Sequence, residues 1–327
     1  MAEPARGRAH DRAAGSVDEP AGGAALDGGA GSVDEPAGGA ALDRGAASVG
    51  EPARGAALDG AAAADLARAL GFLRGFARRR APVVVPVPGG FGVLDARYPG
   101  SYDDNKLIVT ASGGTDEGLA GRLLAAADEG LAQRLMAAAD EVLSGREHRL
   151  VCVDDDRLGT ACAPAFAAAG YEHETNLVMV FRGEPPHDSP PAERLGLEEL
   201  APVLRRDWRR TLPQAPDEVI DGLARRVSAR LRGADTVAFR GVRAPSGEIA
   251  ARADLYVHGG VAQIESVFTG HEHRGRGYAG ALMRALLAEV AGAELIFLLA
   301  DADDWPRHFY ERLGFAEVGR THAFLRT

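Results

Sequence analysis

Between Gln263 and Ala279 the chain reads QIESVFTGHEHRGRGYA. An apolar stretch carrying one carboxylate, Glu265, runs into a loop with arginines at 274 and 276 and glycines at 275 and 277. A helical pattern follows, with Ala279, Leu282, Met283, Leu286, Leu287 and Val290 as its apolar stripe. A helix start offers N–H groups without intrahelical acceptors and the positive end of the helix dipole. Glycines there let a pyrophosphate approach the backbone closely. The segment therefore suits a diphosphate ligand, although a plain tight turn is built from the same residues. Further on, Phe309–Phe315 reads FYERLGF and carries Tyr310, whose phenol ordinarily titrates near about 10 and can donate a proton. His271 and His273 sit two apart in the loop beside Glu272, with no third ligand at a recognisable spacing, so no metal is expected. His308 is read as exposed or packing, and Asp303 or Asp304, in DADDWP, as the cap of a helix starting at Trp305-Pro306.

The elements that must position these residues follow from periodicity and turn residues. Thr236–Arg243, Glu248–His258 and Val261–Thr269 read as three strands, with Pro245-Ser246-Gly247 and Gly259-Gly260 as the turns between them. Alternation along the third places Glu265, Val267 and Thr269 on one face. A helix over Gly277–Ala291, a strand over Glu294–Ala300, a helix over Trp305–Leu313 and a strand over Thr321–Arg326 complete the C-terminal part. Two helices, near Leu197–Trp208 and Pro216–Leu231, precede it. The pattern is α+β with a mixed sheet. Upstream, a helix over Asp65–Arg78 leads into strands at Pro82–Val87, Phe91–Ala96 and Lys106–Val109. A long helix is expected over Thr115–Leu143, then a strand at Arg149–Val153, a helix at Thr160–Ala169 and a strand at Leu177–Phe181. Gly183–Pro191 (GEPPHDSPP) reads as a linker.

The first sixty residues differ in kind. GSVDEPAGGAALD occurs at Gly15–Asp27 and again at Gly31–Asp43, and a third, altered copy spans Ala47–Asp59. Each unit has one Val and one Leu, too little apolar surface to offset backbone ordering, so a disordered acidic tail is expected. The 327 residues carry a net charge of −10, which disfavours nucleic-acid binding and is compatible with cationic acceptors. No apolar run approaches the length of a membrane span, and the N-terminus lacks the apolar core of a secretory signal. Cys152 and Cys162 form neither a zinc motif nor a disulfide framework. A reducing cytoplasm is the expected location, with no membrane partner.

Arg274, Gly277 and Ala279 fit the Arg-x-x-Gly-x-Ala signature of the GNAT acetyltransferases, and FYERLGF resembles that family's second motif. The resemblance covers Arg194–Thr327. It implies the GNAT fold, a mixed, mostly antiparallel sheet flanked by helices, and acetyl-CoA as co-substrate without a metal. It implies that backbone from Arg274 through Gly275, Arg276, Gly277, Tyr278 and Ala279 holds the diphosphate, and that Val267 and Phe268 face the thioester carbonyl. Tyr310 would be the general acid and Glu265 a general base. Asp303 stands where the family often has asparagine. The acceptor implied is a primary amine of a small molecule, or a protein amine, and the protein is expected to be a monomer or homodimer. A non-catalytic acyl-CoA or metabolite sensor is the alternative. Arg149–Phe181 is similar to the end of the same fold, with Phe166 in the tyrosine position and Gly170-Tyr171 in place of Gly-Phe. The expected organisation is a tail (1–60), a degenerate GNAT-like lobe (61–183), a linker (184–191) and a catalytic domain (192–327). In that organisation the degenerate lobe closes the acceptor cleft or mimics a dimer partner; an unrelated α/β domain is the alternative for 61–183.

Overall fold

Gly259 and Gly260 both take positive φ (57° and 75°), the left-handed geometry a tight hairpin requires, and they fold the strands on either side into an antiparallel pair. The computed structural model describes residues 60–110 and 129–327. The repeats and the first half of the helix expected over 115–143 lie outside the described residues. The N-terminal half contains α1 (Gly60–Arg80), β1 (Val83–Val87), β2 (Gly90–Leu94), β3 (Lys106–Val109), α2 (Glu129–Val142), β4 (Arg149–Val153), α3 (Asp156–Ala168) and β5 (Glu172–Phe181). The C-terminal half begins with β6 (Glu193–Arg194), α4 (Leu197–Thr211), α5 (Asp217–Arg225), α6 (Val227–Arg230), β7 (Thr236–Arg243), β8 (Ile249–His258) and β9 (Val261–Thr269). It ends with α7 (Tyr278–Glu289), β10 (Leu295–Asp301), α8 (Pro306–Arg312) and β11 (Phe315–Arg326). β11 starts six residues before the strand expected, because AEVGRT conceals its alternation behind a bulge between Glu317 and Gly319. The helix expected over 216–231 is two, meeting at Arg226.

One eleven-stranded sheet runs β1-β2-β3-β4-β11-β5-β10-β9-β8-β7-β6. Among the described strands only β3–β4 and β9–β10 are parallel. Both halves contribute strands to this one sheet. β4–α3–β5 and β10–α8–β11 are the same unit twice, yet neither pairs its own two strands: β4 pairs β11 and β10 pairs β5. A short helical return sets its second strand two positions away and leaves a slot whose backbone groups need partners. The second strand of the other half fills that slot. β5 and β11 pair antiparallel at the centre, with Asn176 opposite Thr321, and a pseudo-twofold axis passes between them.

The two faces of the sheet carry different layers. Leu282, Met283, Leu286 and Tyr310 pack on one face of the C-terminal strands, and Leu131, Leu135, Leu158 and Phe166 pack on the corresponding face of the N-terminal strands. The opposite face carries α4 to α6 and α1. α1 belongs to both halves. Phe72 meets Phe297 edge-on at 5.6 Å, Phe76 stacks on Tyr256 at 4.5 Å, and Ala77 packs with Phe91, Val93 and Ile108. Aromatic contacts of this kind add about 0.5–1.5 kcal/mol each beyond their buried area. No described helix is long and apolar enough to cross a membrane.

Because β10 depends on β5, and β11 on both β4 and β5, residues 192–327 expressed alone should fail to fold. We expect insoluble protein, or a soluble fragment without a cooperative thermal transition by circular dichroism, whereas residues 60–327 should melt cooperatively.

Candidate active site

β9 and β10 run parallel for three pairs, Leu295–Val261, Ile296–Ala262 and Phe297–Gln263, and then diverge. Beyond Gln263, β9 keeps only β8 as a partner, while β10 stays paired to β5 as far as Asp301 opposite Asn176. The result is a V-shaped notch in the sheet, on whose edges backbone groups lack a strand partner.

The notch is shaped by a bulge. The β8–β9 register slips between Arg252 and Asp254, and Ser266 takes φ 53°, a left-handed conformation unusual outside glycine. Arg230 holds the strained residue: its Nη1 donates to Ser266 Oγ at 3.2 Å and forms a buried ion pair with Asp254. Tyr256 also donates to Asp254, at 2.7 Å. The bulge overturns the simple alternation expected for β9. Val267 packs with Ile264 and Ala262 in the core beneath α7, whereas Glu265 faces the other side, beneath α1. One extra residue reverses every side chain after it. Phe268 is half-buried, with the Arg252 guanidinium 4.7 Å over its ring.

Glu265 is buried, with Gln263 Nε2 donating to its Oε2 at 2.5 Å and no partner on Oε1. Burial, helped by the charges of Asp103 and Asp254 and opposed by Arg230, pushes the carboxyl up to about 8. Tyr310, on α8, is fully buried on the opposite face, and its hydroxyl has no partner. Burial and then the charge of Glu265 raise the phenol above its ordinary value, so it keeps its proton at neutral pH. Glu265 and Tyr310 thus lie on opposite faces of the sheet, each with a side-chain oxygen that has no partner.

At the open end of β9 the chain turns through His271–His273 into α7. Gly275 and Gly277 take φ 71° and 81°, and an added Cβ at either would meet no atom within 4 Å. The turn is therefore open on the side where a ligand would lie, and Gly277 is the N-cap of α7. These features fit a diphosphate at the helix start. Arg276 is exposed, Arg274 and Tyr278 half-buried, and Ala279 buried. His273 is buried and meets the Tyr278 ring edge-on at 5.9 Å, while His271 is exposed. His308 is exposed and lies 3.1 Å from Glu311. Asp303 is exposed, its N–H bonded to Asp301 Oδ1 at 2.8 Å. Neither aspartate caps α8 in the expected way. Trp305 is the N-cap without a side-chain bond, and Asp304 only accepts its N–H.

The pseudo-twofold axis allows the N-terminal half to be compared position by position. There, β3 and β4 stay paired to their ends, Val109 opposite Val153, and the N–H of Asp154 continues the ladder to Val109 O. Among the described residues no notch opens between them. Carrying the axis through the register sets Ile108 where Glu265 stands and Phe166 where Tyr310 stands. The Phe166–Tyr171 pair repeats Tyr310–Phe315 as an edge-on contact, so the packing survives without the hydroxyl.

Sequence reading missed one component. A cavity of about 140 Å³ lies beneath α1, close to the pseudo-axis, with Glu265 and Asn176 in its wall. It assembles from segments that local periodicity cannot bring together.

Residues 197–315 match the acetyltransferase (GNAT) family. No curated protein matches the sequence. Among solved structures, a GCN5-related N-acetyltransferase from Kribbella flavida is 16% identical, with a TM-score of 0.51 over 80% of this chain and 94% of its own. A conserved protein of unknown function from Staphylococcus epidermidis is 12% identical, with a TM-score of 0.51 over 74% and 92%. A GNAT-family protein from Novosphingobium aromaticivorans is 26% identical at a TM-score of 0.35 over 47% of this chain, and the match spans 64% of its length. The notch, the glycine turn and the buried tyrosine all fall within residues 197–315, the segment that matches the GNAT acetyltransferase family.

Proposed function

We propose that this protein transfers an acetyl group from acetyl-CoA to a primary amine by direct attack within a ternary complex. The observation that carries the reading is the notch with Glu265 and Tyr310 on its two faces, each buried and each with an unpartnered oxygen. The same reading divides the chain into a non-catalytic lobe (61–183), a linker (184–191) and a catalytic domain (192–327).

Acetyl-CoA supplies the activated thioester. Backbone N–H groups from Gly275 to Ala279, with the charges of Arg274 and Arg276, hold its diphosphate. Asp303 stands at the rim, beyond β10. Backbone N–H groups of Val267 and Phe268 stabilise the carbonyl oxygen as charge develops on it. Glu265 removes the proton that the amine must lose, directly or through a water. As the C–N bond forms and the C–S bond breaks, Tyr310 gives its proton to the departing thiolate. Holding both reactants at the notch supplies much of the rate, about 7–11 kcal/mol in favourable cases. The acceptor is a small-molecule amine or a protein amine.

Acetyl-CoA at about 100 times its Kd should stabilise the protein by about 2.7 kcal/mol, a clear rise in Tm. Gly277→Asp, which sets a carboxylate against the diphosphate, should abolish the shift. Calorimetry should give one site per chain, and two sites would contradict the closed β3–β4 ladder. A Tm shift without thiol release across an amine panel would favour the sensor.

Tyr310→Phe should lower kcat by about 100-fold or more while leaving the acetyl-CoA shift intact. Because Glu265 must be deprotonated to act and titrates near about 8, kcat/KM should rise with pH up to about 8 and level off above it. Glu265→Gln should remove that limb. A limb that persists in this variant assigns it to the amine itself.

A further inference from the structure

The cavity beneath α1 carries a more specific conclusion, which rests on the transferase reading. Its wall is not drawn from the catalytic half alone. Glu265 and Gln263 come from β9, Thr321 from β11, Asn176 from β5 and Cys152 from β4, with Arg74 of α1 above them. The last three belong to the N-terminal half. Arg74 is already engaged, its Nε 2.7 Å from Asp154.

Two side-chain oxygens in this wall lack partners. Glu265 Oε1 and Asn176 Oδ1 are both buried, with residue exposures of 7% and 8%, and neither has a hydrogen bond. Asn176 Nδ2 is satisfied by Glu174 Oε1 at 2.9 Å, so only the accepting atom of the amide is open. A buried acceptor without a donor costs roughly 1–3 kcal/mol, and such groups seldom persist unless a ligand or water completes them. Both oxygens call for a donor. One comes from the face of the notch where the base stands, the other from the exchanged strand of the opposite half.

We propose that this cavity is the acceptor site, that it takes a compact amine donating to both Glu265 and Asn176, and that the N-terminal half sets acceptor specificity. The size supports the class. A cavity of about 150 Å³ holds a benzene-sized molecule, so about 140 Å³ accommodates a small amine and little more. The N-terminal half, without a notch, a glutamate at Ile108 or a hydroxyl at Phe166, retains a role as the recognition surface.

The test uses the full chain and two variants outside the acetyl-CoA cradle. Asn176→Leu keeps the volume and removes the open acceptor. Cys152→Phe fills the cavity from the N-terminal side. Thermal shift is measured with putrescine, ethanolamine, histamine, phenethylamine and glucosamine, and with an Ala-Lys-Ala peptide, and in parallel with acetyl-CoA alone. The expected result is a Tm rise with at least one compact amine in the parent protein. That rise should be lost or reduced at least tenfold in apparent affinity in both variants, with the acetyl-CoA shift unchanged in all three proteins. The proposal is overturned if no compact amine binds, if binding survives both variants, or if the peptide binds as well as the small amines. Absence of an acetyl-CoA shift in the parent protein overturns the transferase reading instead, and the amine arm still decides the cavity. If Cys152→Phe does not fold, Asn176→Leu alone decides.

Discussion

The fold depends on the exchange of β5 and β11. Each half builds a strand, a helix and a second strand, and in each the second strand lands one slot too far to pair with the first. The two vacancies are complementary, and filling them converts two incomplete sheets into one of eleven strands. Backbone hydrogen bonding enforces this, because an empty slot in the middle of a sheet would leave a row of buried N–H and C=O groups without partners. The linker at 184–191 marks the boundary in the chain, but the sheet crosses that boundary at three strand junctions, β4–β11, β11–β5 and β5–β10.

The notch is a consequence of the same exchange. For β9 to leave β10 after three pairs, β10 must be held on its other edge, and that edge is held by β5. The C-terminal half thus keeps its V open with a strand from the other half. In the N-terminal half β4 is paired on both sides, to β11 and to β3, and the β3–β4 pairing runs to the end of β3. The two halves share one architecture and differ in whether a single parallel pair is allowed to separate. The bulge at Ser266, braced by Arg230, drives the separation, and β3 ends in Lys-Leu-Ile-Val without one.

Much of this was legible in the sequence. Glycine turns, apolar periodicity and the two motifs located β7 to β11 and the helices among them, since these signals are local. The Gly275–Gly277 turn and Tyr310 were legible for the same reason, and so was the substitution of Phe166 for tyrosine. The facing of Glu265 was not. Strict alternation sets it beside Val267, and only the bulge, which leaves no mark beyond an ordinary serine, turns Val267 to the other side. The strand exchange was not legible either, because both pairings of β4 and β10 satisfy the same local patterns and the choice is made across the whole sheet. The buried ion pairs beneath α1, such as Arg80 with Asp103 at 2.5 Å, join residues that read in sequence as ordinary surface charges.

Those ion pairs bear on the chemistry of Glu265. Burial is the main cause of the raised Glu265 carboxyl and nearby negative charge adds to it, and both draw on the N-terminal half. α1, pinned by Phe72 and Phe76, supplies much of the cover. Asp103, from the loop before β3, supplies negative charge, and Asp254 on β8 adds to it. Arg230 opposes both but is committed to Asp254 and to the bulge. A GNAT domain standing alone would have neither Asp103 nor this helix over its β9 glutamate. The N-terminal half, with Ile108 and Phe166 at the positions of Glu265 and Tyr310, thus raises the Glu265 carboxyl and walls the cavity beside it.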